Sequence, residues 1–460
     1  MRRFFERQEL RSVIILAAPI ALLQTGLVLQ TTMATLFAGR LGPQSIATVG
    51  LAGSTYFLIL IAAFGLLLGI DPLSSQAFGA GERRECAEVL VHAVILAMLA
   101  ALPVFAVMSG TGWFLKAFGV EPALAASTGA YLRILRWGVF PMLLFTACRQ
   151  YLQTLSITLP QLAGVVAADA VAAVLDYGLM FGHFGLPALG VNGAAFAMLA
   201  ASCTMLAVVA VAAARQVSSS GWLWTGFKTR IFRELVRLGV PASGQMLAEV
   251  GAFSLTSLLC GRMGSASSAA HQIVLNLASL SFMVPLGVSH AAAVRVGQGI
   301  GHRRADRAVR SAWDALGLGI AFMSLTCLAY LLLGRAIMGL YTSDNGVMDL
   351  GVRLLAIAGV FQVFDAVQVI MTGSLRGLGE TRAPMIVNAV GYYLVGLPVG
   401  GYLAFGAGWG AFGLWIGVCL GLCSVAVGLL AFWVWRSRRL LAEDPATAGV
   451  WDEIRAPDPI

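Results

Sequence analysis

Along this chain apolar residues gather in long blocks, separated by short polar breaks rich in Gly, Pro, Ser and Arg. A helix that crosses a bilayer needs about 20 consecutive apolar residues. The pattern predicts twelve such helices, at roughly 13–38, 50–70, 88–108, 127–147, 161–181, 191–214, 235–259, 272–296, 312–334, 350–373, 385–405 and 411–435. The first block is too long for a secretory signal peptide and has no small-residue cleavage site ahead of polar sequence, so it reads as a retained helix.

Composition narrows the class. Of 460 residues, 59% are hydrophobic and 11% are charged. A soluble domain carries about 25% charged residues, so a soluble enzyme and a disordered chain are both excluded. The net charge of +8 invites a nucleic-acid partner, but the basic residues have no solvated domain on which to cluster, and none is expected. The 53 glycines suit helices that approach closely in lipid. Of the cysteines, Cys148, Cys203, Cys260, Cys327, Cys419 and Cys423 lie in or beside apolar blocks and only Cys86 sits near a polar loop, so they read as small packing residues. Cys419 and Cys423 share a helix face, but two thiols make a poor metal site.

The basic residues follow the predicted topology. With the N-terminus cytoplasmic, 21 Lys and Arg fall in cytoplasmic segments and 4 in outer ones. The cytoplasmic set includes Arg83, Arg84 and Arg149, the central-loop residues Lys228, Arg230, Arg233 and Arg237, and Arg303, Arg304, Arg307 and Arg310. This bias predicts an even number of spans with both termini inside, and places these side chains near anionic headgroups.

The longest polar break, near 215–232, divides the chain almost in half, and the halves resemble each other. Pro19 and Gly39-Arg40-Leu41-Gly42 match Pro241 and Gly261-Arg262-Met263-Gly264 at an offset of 222. Gly79-Ala80-Gly81-Glu82-Arg83-Arg84 matches Gly299-Ile300-Gly301-His302-Arg303-Arg304 at 220, and Leu152, Leu155 and Thr158 match Leu375, Leu378 and Thr381 at 223. Three matches, in order and at nearly constant offset, indicate a repeat of six helices. Six is even, so both copies run the same way through the membrane, and transporters built so bind near the midplane and alternate access by rocking the copies. The expected fold is an all-α polytopic membrane protein with twelve transmembrane helices in two parallel-repeat six-helix lobes around a central cleft. The expected divisions are an N-terminal lobe 1–214, a cytoplasmic linker 215–232, a C-terminal lobe 233–438 and a cytoplasmic tail 439–460. Pro19 and Pro241 are expected to bend the first and seventh helices.

Five acids fall inside the predicted spans: Asp71, Asp169, Asp176, Glu249 and Asp365. A carboxylate at a helix centre costs about 2.5–3.5 kcal/mol on insertion scales, and such residues usually mark ion or proton paths. Glu249 lies midway along the seventh helix, with Gln245 one turn before and Thr256 two turns after. Asp365 lies midway along the tenth, in a polar stripe with Gln362 and Thr372. This pair suits Na⁺ ligation through oxygen, proton carriage or pairing with a cationic substrate. Asp169 and Asp176 share one face of the fifth helix, and Asp71 precedes Pro72, where it suits the end of a broken helix. Gln24, Thr31 and Gln272 are further candidate polar groups. His290 reads as a packing residue rather than a titrating one.

There is no GxxxxGK[ST], no HExxH and no GxSxG in the chain, which removes a P-loop drive and common hydrolase chemistry, so no enzyme is expected. With the repeat and the acids in view, the sequence resembles the multidrug and toxic compound extrusion (MATE) family, in its NorM-type branch, over about residues 10–438. The resemblance rests on Pro19 through Gly42, Gln76-Ala77-Phe78-Gly79-Ala80-Gly81, Pro241 with Glu249, Ala270-His271-Gln272, Arg295-Val296-Gly297-Gln298, and Phe364-Asp365-Ala366-Val367-Gln368-Val369 continuing to Gly373-Ser374-Leu375-Arg376-Gly377. It implies an antiporter of the bacterial inner membrane that expels organic cations in exchange for Na⁺ or H⁺, acting as a monomer without a cofactor. It also implies that Glu249 and Asp365 occupy the cation-binding positions of the C-terminal lobe, and that Asp176 is the acid of the fifth helix. One departure stands out: where the family often carries a first-helix aspartate, this chain has Ala34. Coupling through the C-terminal lobe is therefore expected.

Two competing functions were weighed. A flippase for lipid-linked precursors should line its cavity with Arg or Lys, whereas the mid-membrane charges here are acidic. An intramembrane aspartyl protease needs two facing acids, and the repeat with acids spread over four helices argues against it.

Overall fold

The computed structural model describes residues 7–117, 119–222 and 226–442, and every regular element among them is helical. Twelve long helical segments follow in chain order: α1 (Arg7–Leu41), α2 (Pro43–Gly79), α3 (Arg83–Ala117), α4 (Pro122–Thr154), α5 (Leu159–Phe181), α6 (Val191–Ser219), α7 (Thr229–Gly261), α8 (Ser265–Gly301), α9 (Ala305–Gly339), α10 (Asn345–Gly377), α11 (Arg382–Gly406) and α12 (Gly410–Ala442). Most of them outrun the apolar block that predicted them. Charge marks where an apolar stretch stops, but the backbone ladder continues into the polar flank. At 1.5 Å per residue, a hydrocarbon core of about 30 Å takes only about 20 residues.

Eleven of the twelve are long and apolar enough to cross a membrane. The remaining one, α7, is long enough at 33 residues but begins with Arg230, Arg233, Glu234 and Arg237 and carries Gln245 and Glu249 in its middle. The polar residues that make this helix a functional candidate also dilute its hydropathy.

Two helices are internally irregular in ways that matter below. In α2 the α-helix stops at Leu67 and restarts at Ile70. Pro72 has no N–H to return to Leu68, so that carbonyl accepts instead from the Asp71 N–H, at 3.2 Å. The broken helix expected at Asp71 is therefore present. In α11 the backbone widens into π-helical turns over Val390–Gly396 and Tyr402–Gly406. The helices continue through Pro19 and Pro241.

The repeat is legible in the backbone. Three pairs of positions share a positive φ: Gly42 and Gly264, Gly81 and Arg303, Ser156 and Gly379, at offsets of 222, 222 and 223, so the backbone pairs Gly81 with Arg303 rather than with Gly301, as the 220 offset of the sequence match has it. In each pair at least one residue is glycine, which enters this region without steric cost. Gly42 and Gly264 each stand immediately before the second helix of their half.

The packing divides the described residues into two compact units, with boundaries inside α1 and α7 rather than at the expected linker 215–232. One unit takes α1 up to Ala21, the short turn Gly79–Gly81, and the chain from Gly244 onward. The other takes Leu22–Phe78 and Glu82–Ser243. The first half of α7 thus packs with the N-terminal helices. There a Cβ added at Gly239 would lie 2.0 Å from the Leu66 carbonyl oxygen, and one at Gly65 would lie 2.4 Å from Ser243 Cα. The Ser243 hydroxyl donates to the Ala62 carbonyl at 2.7 Å. In the C-terminal unit the first half of α1 joins the core through Val13, Leu16, Ala17 and Ile20. There a Cβ at Gly287 would lie 2.8 Å from the Ala21 backbone nitrogen. Gly65 and Gly287, like Ala21 and Ser243, are separated by 222, so both halves use the same close approach. A linker break says where the chain is polar; helix packing decides which residues pack together.

The seven cysteines are free, as expected of packing residues. Arg2 and Arg3, which belong to the 21 expected cytoplasmic basic residues, positions 223–225 of the expected linker and 443–460 of the expected tail lie outside the described residues.

Candidate functional site

The C-terminal unit brings Glu249 of α7 and Asp365 of α10 within electrostatic reach of each other. Asp365 is buried, and Glu249 is partly buried with Gln245 against it one turn earlier. No ion pair of the described residues involves either carboxylate. What surrounds them is neutral. The Gln368 side-chain N–H₂ donates to Glu249 Oε2 at 3.3 Å and to Asn388 Oδ1 at 3.1 Å. The Asn388 N–H₂ in turn donates to the Pro384 carbonyl at 2.8 Å.

This chain of donors fixes both amides. Asn388 spends its N–H₂ on the backbone, so it presents oxygen to Gln368, and Gln368 must present its N–H₂ to both acceptors. The Gln368 Oε1 is then left over, buried without a hydrogen-bond partner. Thr372 Oγ1 and Tyr392 Oη are also buried without one. An unsatisfied buried polar atom costs about 1–3 kcal/mol, so such atoms beside two acids call for an explanation. Among the described residues no three His, Cys, Asp or Glu side chains converge. A Na⁺ ion at Glu249 and Asp365 would therefore draw its further ligands from neutral oxygens of this kind.

The other sequence candidates separate cleanly. Gln362 is fully buried and donates to Ser281 Oγ and to the Ala278 carbonyl, holding α10 to α8. Thr256 donates to Ala252 in its own helix at 2.9 Å, and Thr31 does the same to Val28 at 2.8 Å. Gln272 is exposed, while its neighbour His271 is buried between Ser257 Oγ, at 2.7 Å, and Trp415 Nε1, at 3.2 Å. The tryptophan N–H donates to Nδ1, so Nε2 carries the proton and His271 is a neutral tie between α7, α8 and α12.

In the N-terminal unit, Asp176 is buried with Oδ1 unpartnered, near the buried phenol of Tyr131. Asp169 faces α1: Gln30 stands beside it, and its Oδ2 would lie 3.3 Å from a Cβ at Gly26. Ala34, one turn past Gln30, is buried. Asp71 is buried within electrostatic reach of Arg149. Arg149, counted above among the cytoplasmic residues, does not face solvent. It is buried in α4, and its Nη1 donates to Gln24 Oε1 at 2.9 Å. Its position at the end of an apolar run concealed this; an arginine that snorkels and one that turns inward have the same sequence context.

Sequence reasoning missed Gln368, Asn388 and Tyr392 as site residues, and Asp314, which is fully buried near the start of α9. The signal for Gln368 was its spacing, three residues after Asp365 on one helix face. Asn388 and Tyr392 had no such signal, because only packing brings α11 to Glu249.

Two matching halves of long apolar helices, one of them holding a pair of acids among neutral amides, define a two-repeat, multi-pass helical membrane protein. The comparisons with known proteins place it further: the chain belongs to the MatE family, whose sequence model matches residues 19–178 and again residues 241–401. The two matched segments begin 222 residues apart, the offset of the repeat. A probable multidrug resistance protein NorM of Mesorhizobium japonicum is 37% identical over 444 residues, covering 94% of this chain and 95% of that one. One from Bradyrhizobium diazoefficiens is 38% identical over 424 residues, covering 90% and 91%. The multidrug resistance protein NorM of Burkholderia vietnamiensis is 36% identical over 419 residues, covering 90% and 91%. Among solved structures, a eukaryotic MATE transporter superposes with a TM-score of 0.85 at 22% identity, covering 94% of this chain and 98% of that one. An outward-facing multidrug resistance MATE transporter of the MOP superfamily gives 0.86 at 18%, covering 95% and 97%.

Proposed function

We propose that this protein is a multidrug efflux antiporter of the bacterial inner membrane, expelling organic cations by alternating access in exchange for Na⁺ or H⁺, with both termini cytoplasmic. The observation that carries the coupling is the Glu249–Asp365 pair, two acids inside the membrane domain with amides for neighbours and no ion-pair partner among the described residues. A membrane makes such groups costly, and a transported cation supplies the missing compensation. Asp176 and Asp169 give the N-terminal unit a second acidic region, suited to the cationic cargo. The NorM relatives, named for multidrug resistance, support the substrate class.

A flippase for an anionic lipid-linked precursor is the weaker alternative. Arg149, the buried cation that such cargo would seek, already lies within electrostatic reach of Asp71. The test is efflux of a cationic dye from everted vesicles, with Na⁺ and pH gradients varied separately. Efflux that follows one gradient and vanishes in Asp365→Asn supports the proposal. Efflux indifferent to both gradients overturns it.

A further inference from the structure

The eleventh helix opens into a π-helical turn at Val390–Gly396, directly after Asn388. Single π turns inside α-helices are rare and concentrate at functional sites. This one is held from two sides by contacts that leave no room for a side chain. A Cβ added at Gly391 would lie 2.2 Å from Val425 Cγ2 of α12, and one at Gly251 of α7 would lie 2.5 Å from Tyr393 Oη. The wide turn is thus fixed between α7 and α12.

What the turn presents is Tyr392. The side chain is 1% exposed, its ring centroid lies 6.1 Å from that of Phe253, and its hydroxyl is buried without a hydrogen-bond partner. It lies within electrostatic reach of both Glu249 and Asp365. Tyr392 follows Asn388, the residue that orients Gln368 toward Glu249, by one helical turn. The same register is polar in the other half. Asp169 precedes Tyr392 by 223 residues, the offset also shared by the left-handed Ser156 and Gly379. Asp169 faces the first helix of its own half at Gly26, as Tyr392 faces α7.

We propose that Tyr392 is a direct oxygen ligand of the cation carried at Glu249 and Asp365, that Gln368 Oε1 is a second neutral ligand, and that Asn388 is the positioning residue that aims it. Hard cations take carboxylate, carbonyl and hydroxyl oxygens together, and the unpartnered Gln368 carbonyl and Tyr392 hydroxyl complete such a set beside two acids. This inference rests on the reading that the two acids bind the coupling ion, and the test separates the two.

The experiment compares the parent with Tyr392→Phe, Tyr402→Phe and Asp365→Asn. Dye efflux in everted vesicles is read against stepped Na⁺ and, separately, stepped pH. Ion-dependent thermal stabilisation of each detergent-purified protein reports binding without transport. Tyr392→Phe keeps the ring and removes the oxygen. It is expected to melt like the parent without the ion and to change the half-maximal concentration of the driving ion about fivefold or more, upward for Na⁺. Tyr402→Phe, on the same helix but exposed, is expected to match the parent. If Asp365→Asn loses ion dependence while Tyr392→Phe keeps the parental half-maximal value and stabilisation, the tyrosine ligand is overturned and the acid pair stands. If Asp365→Asn keeps parental ion dependence, the acid pair falls and the ligand role falls with it.

Discussion

The two halves of this protein share a backbone and differ in how they keep charge inside it. In the N-terminal unit a buried acid and a buried base lie within electrostatic reach: Asp71 and Arg149, which also donates to Gln24 at 2.9 Å. In the C-terminal unit Glu249 and Asp365 meet amides, and oxygens of Gln368, Thr372 and Tyr392 are left over. In the first, opposite charges offset each other, although Arg149 Nε and Asp176 Oδ1 also lack hydrogen-bond partners in that unit. In the second, on the function proposed above, the carried cation supplies the compensation. On that proposal, a few side chains give the two like halves different roles without a change of fold.

The largest expected effect is on the C-terminal side. Asp365→Asn should bring ion-driven efflux to the level of empty vesicles while folded protein remains in the membrane; near-parental efflux would refute an essential role. Glu249→Gln should follow, as loss or uncoupling of ion exchange, seen as dye movement that ignores the ion gradient. On the N-terminal side, Arg149→Met should act on stability rather than coupling. It removes the opposite charge within electrostatic reach of the buried Asp71, so a loss of stability is expected. The measurement is thermal unfolding and yield, and the Asp71→Asn/Arg149→Met double variant should recover much of the loss. If Arg149→Met unfolds normally but shifts ion dependence, the contrast between the halves fails.

Ala34→Asp should not raise transport. Ala34 is buried, and a new carboxylate there loses its hydration, so lower yield with unchanged ion dependence is expected. The smallest effect is at Lys228, whose ammonium pairs with Glu88 Oε2 at 2.6 Å while its backbone N–H donates to His92 Nε2 at 2.8 Å. The lysine is half exposed, so Lys228→Ala should cost at most about 1 kcal/mol, read as a small shift in unfolding temperature. Substitution leaves the backbone bond to His92 in place.

Much of the fold was legible because a bilayer imposes a length and a hydropathy on every crossing element. The helix count, the repeat and the acids at Glu249 and Asp365 all follow from that constraint acting locally. The positive-φ pairs at Gly42 and Gly264 were flagged by the glycines of the matched motifs. Less of the site was legible. Thr256 and Gln272 stood at plausible spacings, but the Thr256 hydroxyl bonds to its own helix and Gln272 is exposed. Arg149 looked like a cytoplasmic charge and is an internal one.

The sequence by itself determined the class of molecule, twelve helices in two like halves and the costly acids, because these depend on composition, period and offset along one chain. Only the tertiary structure decided the unit boundaries just past Pro19 and Pro241, the inward turn of Arg149, and the meeting of Asn388 and Tyr392 with Glu249. Those depend on which glycines let helices touch and on where a π turn shifts the register. Both are properties of two helices at once, which no single stretch of sequence records.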